Sequence, residues 1–153
     1  MKKLIAISLC LFALSPLAAS AQEIDADAAI KYRKAVMTAI KGHNAAIKSI
    51  VTGKVPFKDS LGGHVDAMKG LFAELDQIFP EGSDFGETNA KEGIWDKPEK
   101  FAATVDKARK ALDGLDRAVK GGASGSELAK AYKQFGKNSC ASCHKQFKAK
   151  PRS

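Results

Sequence analysis

An all-α fold, a four-helix bundle with up-down-up-down antiparallel helices, follows from three features of this 153-residue sequence. Apolar residues recur at steps of three and four through four long segments, the period of a helix with one buried face. Gly and Pro punctuate the chain between those segments, and mostly short connections set consecutive helices antiparallel. No stretch alternates apolar and polar residues as a strand does, and no internal repeat competes.

Residues 1–21 precede the fold. Lys2 and Lys3 form a positive start, Leu4 to Leu14 is an apolar run too short to span a membrane, and Ala19-Ser20-Ala21 is an A-x-A cleavage site. Together they describe a cleaved secretory signal peptide, which places residues 22–153 in the periplasm as one domain with no membrane insertion. The first helix is read from about Asp25 to Val51, with Ile30, Arg33, Met37, Ile40, Asn44, Ile47 and Val51 on one face, and Gly53 and Pro56 stop it. The second, from about Asp59 to Phe79, carries Leu61, Val65, Met68, Phe72, Leu75 and Phe79, and ends at Pro80 and Gly82. The third takes Asp96 as N-cap, Pro98 in its first turn and Glu99 at the capping-box position; its stripe is Phe101, Val105, Ala108, Leu112, Leu115 and Val119. Gly121-Gly122 closes it. The fourth opens on the capping-box pattern Ser124-Gly125-Ser126-Glu127 and carries Leu128, Tyr132, Phe135, Ser139, Cys143 and Phe147. Pro80 to Trp95 is long for a connection in so small a domain, which predicts a loop packed over something, anchored by Ile94 and Trp95.

Near the end of the fourth helix stands Cys140-Ala141-Ser142-Cys143-His144. Two thiols and an imidazole in the order C-x-x-C-H read as a covalent c-type haem attachment. Helical spacing puts Cys140, Cys143 and His144 on one face. Each thiol would add across a haem vinyl group to give a thioether, and His144 would reach the iron as proximal ligand. The same letters would also suit a redox dithiol, which normally belongs to a βαβ setting, or a zinc site, which needs a further ligand. Cys10 leaves with the signal peptide, so no thiols remain for a structural disulfide, and the domain rests on its core and its cofactor.

Of the formal net charge of +8, Lys2 and Lys3 supply two units. The remaining excess gathers late, at Lys130, Lys133, Lys137, Lys145, Lys148, Lys150 and Arg152. It is either a solvated helical face or a docking rim for acidic redox proteins of the periplasm. Nucleic acid is a poor fit, because no stacking aromatics are interleaved among the lysines.

The pattern as a whole resembles a class II c-type cytochrome, the cytochrome c′ family. Beyond the haem motif, Lys31-Tyr32-Arg33 followed by Met37 is similar to the family's first helix, Lys54-Val55-Pro56-Phe57 to its first loop, and Ile94-Trp95 to the entry of its third helix. The resemblance implies one haem c and divides the function at Met37, which matches the position facing the iron opposite the histidine. In the low-spin branch a methionine there ligates the iron, and the protein carries single electrons. A thioether raises the potential and leaves no vacancy for a gas. In cytochrome c′ proper the residue does not bind, the iron is five-coordinate, and nitric oxide or carbon monoxide enters. Ligation by Met37 with one-electron transfer is the expected function; gas binding, with Met37 as core packing, is the alternative.

Arg33 matches an arginine that pairs with a haem propionate in the family, against a bland role as a snorkelling surface cation. Lys148 stands where family members often carry arginine near the proximal histidine. Phe135 and Phe147 pack against the porphyrin or simply in the core. A homodimer through the first two helices is implied by the family, although its low-spin members are often monomers. His43, read as solvent-facing, and His64, read at the bundle edge, are weaker ligand candidates. An enzyme such as a peroxidase would want a polar distal acid-base pair where the first helix offers Met37 and Ile40, so no catalytic residue is expected.

Overall fold

The computed structural model describes residues 24–150. The expected signal peptide with Cys10, and Arg152 of the basic cluster, lie outside the described residues.

Helix α1 (Ala26–Val51) starts where the Asp25 carboxylate accepts the backbone N–H groups of Asp27 and Ala28 at 3.0 and 3.4 Å, satisfying donors that a helix start leaves open. It ends at Thr52, followed by Gly53 at a φ of 69°, a left-handed turn that glycine adopts without strain. A single 3₁₀ turn, Lys58–Ser60, leads into α2 (Leu61–Ala73).

Helix α2 stops six residues short of the expected end at Phe79, and the cause lies on another helix. The Arg109 guanidinium donates to the Phe72 and Ala73 carbonyls at 2.9 Å each and pairs with Asp76 at 2.8 Å. It thereby takes over carbonyls that a continuing helix would have used. The chain goes on in turns, yet Leu75 and Ile78 stay buried.

After the long connection come a one-turn helix α3 (Gly93–Asp96) and then α4 (Pro98–Lys120). Because Asp96 is consumed in α3, the N-cap of α4 is Lys97, which makes no side-chain cap, and Pro98 is the first helical residue. The expected cap at Asp96 is thus corrected. Gly121 closes α4 as expected. Helix α5 (Gly125–Gly136) does open on its capping pair: the Glu127 carboxylate accepts from the Ser124 N–H at 2.9 Å and from its hydroxyl at 2.7 Å.

The last helical run is broken by a wide π turn, Lys137–Ala141, before α6 (Ser142–Phe147). Phe135, Ser139, Cys143 and Phe147 follow one another at steps of four. In a uniform α-helix each such step drifts about 40° around the axis. A wider turn takes up that drift and keeps the four residues near one face. The Ser139 hydroxyl, fully buried, donates to the Phe135 carbonyl at 2.7 Å inside this turn.

The long helices pack in a closed ring, α1 on α2, α2 on α4, α4 on α5 and α5 on α1, the neighbour relations of an up-down-up-down four-helix bundle. Ile47, Val65, Met68, Leu112, Leu115 and Phe135 are 0–1% exposed and form its solid centre. The long connection packs as predicted. Ile94 is buried, and the Trp95 indole N–H donates to the Phe79 and Pro80 carbonyls at 3.2 and 3.1 Å. It is also stapled to the C-terminal end. Ala90 and Lys148 form an antiparallel bridge, the Lys91 N–H donates to Phe147 at 3.0 Å, and the Ala149 N–H to Asn89 at 2.8 Å. No described helix is long and apolar enough to cross a membrane.

Candidate functional site

Toward the end of the bundle that holds α6, the solid core gives way to a largely apolar cavity of about 400 Å³, within the usual range for cofactor pockets. Helix α1 supplies one wall through Arg33, Met37, Ile40 and Asn44, which its 3.6-residue period brings to one side. The turns after α2 add Leu75 and Phe79, and α4 adds Phe101, Val105 and Ala108. The π turn and α6 form the facing wall with Ser139, Cys140, Cys143, His144 and Phe147. All five residues singled out from the sequence, Arg33, Met37, Cys140, Cys143 and His144, therefore line one cavity.

Cys140 and Cys143 are half-buried and unpaired. Burial, with Cys140 nearby, pushes the Cys143 thiol up to about 11. No group of three or more His, Cys, Asp and Glu among the described residues is placed to hold a metal ion. The His144 imidazole is held below the usual histidine range, first by desolvation and then by the Lys148 charge. The neutral ring is the form that ligates iron. Lys148 thus acts on His144 through its charge, without the planar fork of an arginine.

Arg33 is buried, so it is no snorkelling cation. One terminal nitrogen donates to Ser83 Oγ at 2.9 Å and the Ile78 carbonyl at 3.3 Å, the other to Thr88 Oγ1 at 2.8 Å and the Ser83 carbonyl at 2.9 Å. Its guanidinium carbon lies 4.7 Å from the Phe79 ring centroid. Every one of these acceptors is neutral, and no carboxylate among the described residues pairs with it. Desolvation accordingly lowers its pKa from the usual arginine value. Ser83 and Thr88, which hold the guanidinium, were not legible in the sequence. Both lie in an irregular loop with no periodicity to mark an inward side chain.

Phe147 lines the cavity, while Phe135 lies outside it in the solid core against Phe72, with ring centroids 6.1 Å apart. The aromatic wall runs from Trp95 through Phe79 and Phe101 to Phe147, in edge-to-face contacts of 6.2, 5.0 and 5.3 Å. Neither His43 nor His64 reaches the cavity. They turn toward each other across α1 and α2, so His43 is half-buried rather than solvent-facing. The six lysines of the C-terminal cluster are exposed.

A family model described as Cytochrome C′ matches residues 28–148. A cytochrome c′ of Pararhodospirillum photometricum is 30% identical over 123 residues, covering 80% of this chain and 97% of that protein. The crystal structure of the cytochrome c′ of Rubrivivax gelatinosus superposes with a TM-score of 0.74 at 30% identity, covering 83% of this chain and 99% of the other. A ferrous variant of the Alcaligenes xylosoxidans cytochrome c′ with bound nitric oxide shares the fold, at a TM-score of 0.76 and 24% identity over 85% of this chain and all of that one. The apolar cavity, its two free thiols and imidazole, and its buried cation without a carboxylate all fit one covalently held haem c. With the family match spanning the whole bundle, these features make the chain a member of the cytochrome c′ family, a monohaem c-type cytochrome.

Proposed function

We propose that this chain is a periplasmic, non-enzymatic cytochrome c′ that binds a small gas such as nitric oxide or carbon monoxide on the side of its haem facing α1. The observation that carries the reading is the character of the cavity's α1 wall. It offers the iron a half-buried thioether at Met37 and the apolar Ile40, while the imidazoles of His43 and His64 are engaged elsewhere. With that thioether serving as core packing and not as a ligand, this apolar wall would leave the iron open to a diatomic gas. Relatives named cytochrome c′ support the same reading, and nitric oxide is the gas that the Alcaligenes neighbour holds.

Cys140 and Cys143 would hold the haem through thioethers, and His144 would ligate it. Bound there, the haem supplies an iron that takes a diatomic gas or exchanges one electron. Phe101, Val105 and Phe147 exclude water from the porphyrin. Arg33 offers its uncompensated charge to a propionate carboxylate while it holds the 78–88 segment in place. The exposed lysines near α6 form the rim that an acidic periplasmic redox protein would meet, and the family supports a homodimer through α1 and α2.

Met37 shares its cavity with His144, which favours a second reading: ligation by Met37 and one-electron transfer without gas binding. Spectra of the oxidised, reduced and carbon monoxide-treated protein separate the two, with Met37→Ala as the comparison. The expected outcome is a broad high-spin spectrum, unchanged by the substitution, and rapid binding of carbon monoxide. Sharp α and β bands in the reduced protein, with a far-red sulfur-to-iron band in the oxidised form that Met37→Ala abolishes, would overturn gas binding and establish the electron carrier.

A further inference from the structure

Charge is divided unevenly around the bundle. Between α2 and α4 the signs are interleaved: Lys69, Arg109 and Lys120 pair with aspartates on both helices. Residues 28–51 and 128–150, by contrast, carry lysines and the buried Arg33 but no Asp or Glu. On α1, Lys34, Lys41 and Lys48 follow one another at steps of seven, each about 20° short of two full turns, so they form one row. Asn44, between Lys41 and Lys48, accepts from the Tyr132 hydroxyl of α5 at 3.1 Å, which marks the flank of α1 that carries the row as the one toward α5. The other flank is marked by Tyr32, bonded to Glu74, and by His43, bonded to His64 of α2. Lys34 and Lys41 stand at the mouth of the haem cavity on one side and Lys148 on the other. All four lysines are exposed, and none pairs with a carboxylate among the described residues. Lys34 donates to the Glu87 backbone carbonyl at 3.3 Å, and the Glu87 side chain is the one carboxylate among the described residues that lines the mouth.

We propose that Lys34, Lys41 and Lys48 on one side and Lys148 on the other form a single docking surface across the α1–α5 seam, and that its partner is an acidic one-electron protein seated over the cavity mouth. The proposal rests on the reading above of a haem held by Cys140, Cys143 and His144, and is independent of whether Met37 ligates the iron. The partner gives one electron to the ferric iron and is itself oxidised by one, with no bond made or broken. Lysines without nearby carboxylates add their fields, which attract an acidic surface and orient it before contact. A membrane surface fits less well, because interfacial binding needs an apolar face to bury. The exposed large apolar side chains Ile24, Phe57 and Phe85 lie outside both acid-free stretches, and Tyr32 is turned toward α2. Because the row lies on the flank of α1 away from α2, a homodimer through α1 and α2 leaves this surface open.

The probe is flavodoxin, an acidic one-electron protein, titrated calorimetrically into the haem-loaded chain. One-to-one binding is expected, weakening at least about 10-fold between about 20 and about 200 mM salt. Lys34→Glu combined with Lys41→Glu should weaken it at least about 10-fold at low salt. Lys107→Glu combined with Lys110→Glu, exposed on α4, makes the same change in net charge and should weaken it less than about 2-fold. Glu87→Gln should tighten it. An independent check needs no variant: carbodiimide coupling, which joins a lysine to a carboxylate in contact with it, should link flavodoxin to Lys34, Lys41, Lys48 or Lys148, read by mass spectrometry. The absorption spectrum reports the iron's ligands separately, so an error about the haem and an error about the surface show in different measurements. Equal weakening by the two double variants, binding indifferent to salt, no tightening with Glu87→Gln, or links confined to other lysines would each overturn the docking surface. Sedimentation with phosphatidylglycerol vesicles at about 150 mM salt should leave the parent in solution; retention that Lys34→Glu with Lys41→Glu abolishes would assign the surface to lipid and overturn the protein partner.

Discussion

The two halves of the bundle are built from similar residues and do opposite things. In one half, Ile47, Val65, Met68, Leu112 and Leu115 fill the space between helices until essentially nothing is exposed. In the other, Met37, Ile40, Leu75, Phe101 and Val105 stand around about 400 Å³ that no side chain fills. The solid half is also tied on its outer surface. Asp116, on α4, accepts from Lys69 at 2.8 Å and pairs with Lys120 at 2.9 Å, and Lys120 reaches Asp66 on α2 at 3.1 Å. The hollow half is held instead by a buried cation among neutral acceptors and by a loop stapled to the C-terminal end. One half supplies stability of its own; the other is completed by its cofactor.

The largest expected effect comes from breaking that division outright. In a chain without haem the apolar lining of that space of about 400 Å³ faces water, so the walls of the hollow half lose the burial that holds a marginally stable domain together. A chain with Cys140→Ala and Cys143→Ala, purified without haem, should therefore keep its far-ultraviolet helical signal while losing near-ultraviolet order and a sharp thermal transition. A cooperative transition at the parent's temperature would show that the hollow half stands by itself.

A smaller loss is expected on the solid side. Leu115→Ala should cost about 2–5 kcal/mol, read as a lower urea midpoint. Its absorption spectrum with haem bound should not move, because Leu115 does not line the cavity. A shifted spectrum would mean that the two halves are mechanically coupled.

The smallest effect is electrostatic. Hydrogen bonds from Lys69 and then Lys120 hold the Asp116 carboxyl below the ordinary carboxylate range. A lowered native pKa means that the unfolded chain binds the proton more readily. The contribution is therefore complete above the ordinary aspartate value of about 3.9 and lost as the pH falls through the native one. Urea midpoints measured from pH 6 downward should fall less steeply for Asp116→Asn than for the parent. Parallel acid limbs would remove Asp116 from the comparison.

The four long helices were legible because each is amphipathic over many turns, and the haem anchor because C-x-x-C-H has few other uses in a helical chain. Boundaries were less legible, and the misses share one cause: a partner distant in sequence. Arg109 ends α2 from 36 residues beyond Ala73, and the α3 turn takes Asp96 away from the cap of α4. The steps of four from Phe135 to Phe147 did carry a trace of the π turn, since no uniform α-helix keeps such a stripe straight.

The sequence by itself determined the periodic faces, the covalent anchor and the order of the helices, all of which are local properties of spacing and residue chemistry. Only the tertiary structure decided where the apolar faces leave a gap, that Met37 and His144 open onto the same gap, that Arg33 is buried without a carboxylate, and that His43 meets His64. Each of these depends on the rotation and depth at which one helix packs on another. Many neighbouring packings would bury the same stripes almost equally well, so no single stripe records which one is adopted.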